Sequence, residues 1–432
     1  MTDNTLLIKN VTILPMTDEE ALIENGYIYI ENGVISEVNE GLHPNHLNNA
    51  HKIIDGHKMV AIPGLINGHT HTPMSVLRGY ADDLPLMEWL QKIWAVEGRM
   101  TENDMYWGSM LSMIEMIKSG TTTFSDMYYG MDKVATGVEK SGLRALLCQG
   151  IIEGDSNGEE LLATTTDFVE RWNKGANERI TTLLSPHAPY TCSPELIEKL
   201  VEEAHRLDCS IHTHLAETRD EIAIISERYG ETPIQLMDKI GLFTRHVIAA
   251  HGVYLTDEEI DILQKGKVGL IHNPKSNMKL ASGVAPITSL IERGVTVGIG
   301  TDSAASNNVL DMFEEMRFAS LLQKVNLENP TALTAYESLT MGTSMGAQAV
   351  GLENNIGKIE VNKKADITLV NLSNVHLQPI NDIISHLIYS AKAEDVAYTI
   401  VDGNILLENG HLTTIDEEEV FWHIAKIKEE LL

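Results

Sequence analysis

The sequence predicts an α/β fold: a (β/α)8 TIM-like barrel inserted in a small β-sandwich built from the N- and C-terminal segments. Two observations carry this. Between residues 61 and 349, eight strand-like runs alternate with amphipathic helical ones, which fits a barrel better than a doubly wound sheet. Both ends of the chain are instead rich in short strands, and neither is large enough to bury a core alone. Residues 1–60 and 350–432 are therefore expected to form the sandwich, and residues 61–349 the barrel.

Each element has a local cause. LLIKNVTILP and GYIYIENGVISEVNE are rich in Val, Ile and Tyr, and Asn32-Gly33 lies between apolar runs. That dipeptide predicts a two-residue hairpin turn, because both turn positions take φ > 0. Barrel strands are expected at 61–69, 120–127, 143–151, 180–187, 209–214, 246–252, 268–273 and 295–302. Amphipathic helices are expected at 194–207, with Pro194 as a good first helical residue, and at 256–266. Near the C-terminus, Asp402-Gly403 and Asn409-Gly410 predict further hairpins. Residues 416–432 start acidic and turn basic, the charge order of a terminal helix.

Composition narrows the functional class. The chain has 62 acidic and 32 basic residues in 432, a formal net charge of −30. Such a surface repels phosphate backbones and anionic lipid, so neither nucleic acid nor membrane is an expected partner. A high-salt habitat would produce the same acidity. Hydrophobic residues at 43% and charged residues at 22% are ordinary for a soluble domain and exclude wholesale disorder. No apolar run reaches 18 residues, and MTDNTLLIKN lacks the pattern of a secretory leader. Cys148, Cys192 and Cys209 form no C-x-x-C pair. Buried thiols in a reducing cytoplasm are expected, with Cys192 an incidental one. A homo-oligomer is compatible with the sequence, which does not reveal the oligomeric state.

Barrel chemistry concentrates at the C-terminal ends of the strands. The first barrel strand ends in His69-Thr70-His71, and i and i+2 side chains on a strand share a face. The fifth ends in His212-Thr213-His214, followed by Glu217. The fourth ends at His187, the sixth at His251 and the eighth at Asp302. Folding does not require imidazoles at so many strand ends, and a barrel makes them converge. A metal site follows. Imidazole and carboxylate donors suit zinc or ferrous iron, and no thiolate stands at these positions.

These residues and their neighbours resemble the amidohydrolase superfamily. The match lies in Pro63-Gly64-Leu65-Ile66-Asn67-Gly68-His69-Thr70-His71, His214-Leu215-Ala216-Glu217, His251-Gly252 and Thr301-Asp302-Ser303. It extends to Gly357-x-Ile359 and Lys364-Ala365-Asp366-Ile367, with Asn362 where a glycine is common. His187 stands where two-metal members carry a carboxylated lysine, which points to the single-metal branch. Arg78-Gly79-Tyr80-Ala81-Asp82-Asp83-Leu84, Trp94, Glu97-Gly98-Arg99, Ser185-Pro186-His187-Ala188-Pro189-Tyr190 and the His272–Leu280 stretch resemble the 5-methylthioadenosine/S-adenosylhomocysteine deaminase family.

The resemblance implies one Zn²⁺ (or Fe²⁺) per subunit on His69, His71, His214 and Asp302. It implies Glu217 as the acid/base toward a purine ring, His251 as the partner of the attacking water, and Asp302 as its proton acceptor. Glu97 would take ribose hydroxyls and His187 would contact the substrate. Trp94 is a wall or stacking residue. His212 is a supporting or core residue, since a fourth imidazole would overfill the site. Asn273, Ser276 and Asn277 brace their loop or touch substrate. Gln149 stands where many members place an arginine, and it cannot form the bidentate pair an arginine makes with a carboxylate. Weaker use of S-adenosylhomocysteine than of 5′-methylthioadenosine is the consequence expected of that change.

The implied activity is hydrolytic deamination of 5′-methylthioadenosine, S-adenosylhomocysteine or adenosine to inosine derivatives and ammonia. Three alternatives stand beside it: the same chemistry on guanine, cytosine or a chlorotriazine, hydrolysis of a cyclic amide, and a non-catalytic scaffold. Cytidine-deaminase-type zinc chemistry is excluded, because the chain has no P-C-x-x-C.

Overall fold

The computed structural model describes residues 5–154 and 156–431. Residues 1–4 of the N-terminal reading and Leu432 of the terminal helix lie outside them. Five strands come first: β1 (Thr5–Ile13), β2 (Ile23–Glu31), β3 (Val34–Glu40), β4 (Lys52–Asp55) and β5 (Met59–Pro63). Eight follow with helices between them: β6 (Leu65–Thr70), β7 (Thr121–Tyr128), β8 (Arg144–Ile151), β9 (Ile180–Pro186), β10 (Ile211–Leu215), β11 (Val247–His251), β12 (Val268–His272) and β13 (Thr296–Ile299). The last are β14 (Ile367–Asn371), β15 (Val396–Val401), β16 (Asn404–Glu408) and β17 (His411–Leu412).

The end segments join one mixed sheet, in the order β17-β16-β15-β14-β5-β1-β2-β3, with β4 beside β1. The seam is the antiparallel pair β5–β14, in register Ile367 with Pro63. Ile28, Ile30 and Ile35 share one apolar cluster with Ile367, Leu369 and Ile400, so each terminus completes the other's core. All three expected turns form. Asn32 and Gly33, Asp402 and Gly403, and Asn409 and Gly410 all have positive φ. Two of the turns touch: a Cβ on Gly33 would lie 2.8 Å from the Asp402 carbonyl oxygen.

Strands β6 to β13 pair in sequence order as a parallel sheet. The sheet closes through a Thr70–Asp302 bridge, with the Asp302 N–H donating to the His69 carbonyl at 2.9 Å. Inside, Ile66, Met127, Leu146, Leu183, Ile248 and Ile271 form one apolar cluster. The run expected as one strand over 61–69 divides between the two sheets at Gly64. There a Cβ would lie 2.1 Å from Thr122 Oγ1, so only glycine lets the chain pass from sheet to barrel. The helix expected at 194–207 spans Pro194–Leu207, with Ser193 Oγ accepting from the Leu196 N–H at 3.2 Å. The helix expected at 256–266 spans Asp257–Lys265, opened by a reciprocal Thr256/Glu259 capping box.

A buried ion cluster joins the barrel to the terminal sheet. Arg144, at the start of β8, donates to both oxygens of Asp366 at 2.7 and 3.1 Å and to Asp402 at 2.7 Å. Burial, the largest single cause, pulls its guanidinium down, and Asp366 and Asp402 together outweigh it and hold it above the ordinary arginine range. Removing one partner leaves an uncompensated buried charge, which costs about 3–5 kcal/mol. Arg144→Ala is therefore predicted to lower the unfolding free energy from denaturant titration by an amount in that range, seen as a lower midpoint. Retained binding and turnover in the folded fraction, with the midpoint unchanged, would show that the cluster is energetically idle.

Candidate active site

The C-terminal mouth of the barrel gathers His69, His71 and His214, with one ligand-capable atom of each within 4.8 Å of the others. Their protons are assigned by their partners. His71 Nδ1 lies 2.5 Å from the Met127 carbonyl oxygen, and His214 Nδ1 lies 2.8 Å from that of His187. A carbonyl only accepts, so both Nδ1 atoms carry the proton and both Nε2 atoms carry a lone pair. Those two Nε2 atoms are 3.2 Å apart. Two lone pairs at that distance repel unless a cation lies between them.

His69 completes the set. Its Nδ1 is 2.9 Å from His212 Nε2, and His212 Nδ1 is 3.1 Å from Ser125 Oγ. His212 thus supports His69 from behind. His69 Nε2 is buried and has no hydrogen-bond partner. Asp302 Oδ1 stands 3.3 Å from His71 Nε2 and 3.6 Å from His69 Nε2. Neighbouring ligand atoms in a tetrahedral site with bonds of about 2.1 Å lie roughly 3.4 Å apart. The orphaned nitrogen, the facing lone pairs and the spacing fit a divalent metal ion. Burial first, and the neighbouring imidazoles next, hold His69 and His214 well below the ordinary histidine range, which keeps their nitrogens free to ligate.

Asp302 is fixed by three donors. Ser276 and Ser306 hydroxyls reach Oδ2 at 2.6 and 2.9 Å, and the Ser303 N–H reaches Oδ1 at 2.8 Å. Glu217 and His251 face the same point, with Glu217 Oε2 3.9 Å from His251 Nε2. His251 Nδ1 lies 2.9 Å from Asn277 Oδ1, which takes its proton and leaves Nε2 toward Glu217. Burial, the largest cause, holds the Glu217 carboxyl above the ordinary range. Burial acts the other way on His251, yet Glu217, Asp302 and Asn277 together raise it.

A cavity opens above these groups. His71, His187, His214, Glu217, His251 and Asp302 form its floor, and Trp94 and Glu97 lie in its wall. Glu97 is one-sidedly buried and accepts a hydrogen bond from the Tyr128 hydroxyl. Burial raises its carboxyl, with Tyr128 and His71 opposing. His187 Nδ1 is 3.0 Å from Thr191 Oγ1, and burial pushes the ring down to about 3. Asn277 braces His251, and Ser276 braces Asp302. Gln149 is different. It is not among the cavity-lining residues, and its Oε1 instead faces the Met131 N–H at 3.4 Å. Strand alternation explains this: Cys148 and Gly150 turn inward, so the residue between them turns out. The substrate contact expected of Gln149 has no geometric support.

Sequence reasoning missed Glu221. Its Oε1 accepts the Ala216 N–H at 2.9 Å and its Oε2 the Glu217 N–H at 2.8 Å, while burial raises its carboxyl to about 7. Ala216, His251 and Asp302 all adopt positive φ, at 54°, 82° and 59°. Such backbone costs about 1–3 kcal/mol per residue and persists only when its surroundings impose it. At Ala216 the surroundings are Glu221 on the N–H side and the Val253 and Tyr254 N–H groups, which donate to the Ala216 carbonyl at 2.9 and 3.0 Å. The spacing Glu217-x-x-x-Glu221 was the available signal, one helical turn from a candidate acid.

The amidohydrolase family model matches residues 60–406. A 5-methylthioadenosine/S-adenosylhomocysteine deaminase from Carboxydothermus hydrogenoformans is 52% identical over 424 residues, 98% of this chain and 97% of that one. A 5′-deoxyadenosine deaminase from Methanosarcina acetivorans is 47% identical over 430 residues, 99% of this chain and 98% of that one. The crystal structure of an adenosine deaminase from Xanthomonas campestris with bound zinc matches with a TM-score of 0.94 at 35% identity, covering 99% of this chain and 98% of that one.

Glu221→Gln exchanges one acceptor oxygen for an amide donor that must face a backbone N–H. The Ala216–Glu217 turn then relaxes, and Glu217 loses its aim. The variant is predicted to keep its metal content and KM while kcat falls tenfold or more, about 1.4 kcal/mol of barrier. Unchanged kcat in a folded, metal-loaded variant would remove Glu221 from the site.

Proposed function

The chain belongs to the amidohydrolase family, and from that premise we propose that it catalyses metal-dependent hydrolytic deamination of adenosine-type nucleosides. 5′-Methylthioadenosine and S-adenosylhomocysteine are the named candidates, and the products are ammonia and the inosine derivative. One observation carries this: the His69, His71, His214 and Asp302 cluster faces Glu217 and His251 at one end of a cavity whose wall holds Glu97. A 52% identical relative bearing that deaminase name supports it.

His69, His71, His214 and Asp302 would hold one zinc per subunit, and ferrous iron suits the same donors. When bound, the ion supplies Lewis acidity that makes water nucleophilic at neutral pH. The chain's own groups handle the protons. Asp302 accepts the proton of the attacking water and returns it to the departing amine. Glu217, protonated, donates to the ring nitrogen beside the attacked carbon, so negative charge does not build up there. His251, fixed through Asn277, orients the water with Nε2. Glu97 pairs with ribose hydroxyls, and His187, neutral, contacts the substrate beside His214. Trp94 walls the outer cavity. Three buried free thiols support a reducing cytoplasmic setting, and among the described residues no helix is long and apolar enough to cross a membrane.

Zinc-loaded protein is predicted to release ammonia from 5′-methylthioadenosine faster than from guanine or cytosine, and chelation to abolish release. Release from free bases alone would remove Glu97 from substrate binding. Glu217→Gln is predicted to keep the metal and lose about 10²–10⁴-fold in turnover. The pH sign follows from the raised Glu217 carboxyl. Turnover that needs its acid form is present below that pKa and falls as pH rises through it. Glu217→Gln should lose this alkaline limb, and a limb retained in the variant would assign it to another group.

A further inference from the structure

We propose that the cavity selects nucleosides whose 5′ substituent is uncharged and apolar, and discriminates against a 5′ substituent ending in an amino-acid carboxylate. The inference rests on the nucleoside deaminase reading above. It asks what the cavity offers beyond the purine and the ribose. Among the described residues, the cavity wall contains no lysine or arginine. Around Glu97 it presents Leu90, Ile93, Trp94, Tyr129, Gly150 and Ile152. Of the acidic side chains in the lining, Glu217 and Asp302 are committed to the purine ring and the metal site, which leaves Glu97 beside the ribose. A 5′ substituent directed along this face meets apolar surface and no lysine or arginine among the described residues.

A carboxylate removed from water without a charge partner is strongly penalised, whereas a methyl or thioether gains by burial. Arg228 donates to the carbonyl oxygen of the lining residue Tyr190 at 3.4 Å, and two further cations beside the cavity are Arg219 and Lys279. They line a neighbouring groove that shares Leu86 and Leu280 with the cavity. Arg219 is held over the Tyr254 ring, 4.8 Å from its centroid, and Lys279 is engaged by Asp82, at 2.6 Å, and by Asn308. Gln149 turns toward the Met131 amide and is not among the cavity-lining residues.

The test compares kcat/KM of the zinc-loaded enzyme on 5′-deoxyadenosine, 5′-methylthioadenosine, 5′-butylthio-5′-deoxyadenosine and S-adenosylhomocysteine. The butylthio compound matches the homocysteine chain in length without its charges. The first three are expected at least tenfold above S-adenosylhomocysteine. Equal use of S-adenosylhomocysteine and the methylthio compound would overturn the inference and leave the deaminase reading intact. A butylthio compound as poor as S-adenosylhomocysteine would make length the determinant and overturn it as well. Silence on all four overturns the deaminase reading itself. Ile152→Arg, which adds a cation to the wall, is expected to raise the ratio of S-adenosylhomocysteine to methylthioadenosine use at least fivefold. An unmoved ratio in a variant active on methylthioadenosine would also overturn the inference.

Discussion

Everything at the mouth of this barrel depends on where three imidazole protons go. A neutral imidazole has one proton and two nitrogens, and only the bare nitrogen can ligate a metal. His71 gives its proton to the Met127 carbonyl of β7, His214 to the His187 carbonyl after β9, and His69 engages His212 on β10. Each acceptor comes from a different strand from the histidine it serves. The barrel's register therefore sets the tautomers as well as the positions. A one-residue slip of any of these strands would turn its side chains to the other face and release a proton toward the metal.

The two mouths of the barrel do different work. The C-terminal mouth carries strained backbone at Ala216, His251 and Asp302. The opposite end carries the Arg144–Asp366–Asp402 cluster and the seam between β5 and β14. Strain at one end needs rigidity elsewhere, because positive-φ residues relax when their surroundings can move. The terminal sheet supplies rigidity where it cannot obstruct substrate. Gly64 lets both sheets share one continuous stretch of chain, so β6, which carries His69, is anchored directly to β5.

Much of this was legible in the sequence, for physical reasons. Hydrophobic period and turn dipeptides report local preference, and the hairpins at Asn32-Gly33, Asp402-Gly403 and Asn409-Gly410 are local. The H-x-H spacing reports a shared strand face, so His69 with His71 and His212 with His214 could be paired by eye. Their division of labour depends on what lies behind each ring, which only three dimensions show. Glu221 was hidden because a buried acid on a helix face looks like a solvated one. Gln149 lies outside the cavity lining, a matter of strand parity that the family position alone does not report. The split at Gly64 was invisible because the Thr122 side chain that forbids a Cβ lies 58 positions along the chain.

The carboxyl groups complete the logic, because identical chemistry is differentiated by neighbours alone. Asp302 receives two hydroxyls and an amide and faces the imidazole nitrogens. Glu221 receives two backbone amides and never meets the cavity. Glu97 receives one phenol and is left a second oxygen for a ligand. Glu217 is governed by burial, which favours its proton. Displacing an amine by water needs one group that takes a proton and another that gives one, and separate environments keep those tasks apart. A neutral nucleoside is the ligand that such a set accommodates. It asks for donors and acceptors at its ring and ribose, which these separately tuned groups supply.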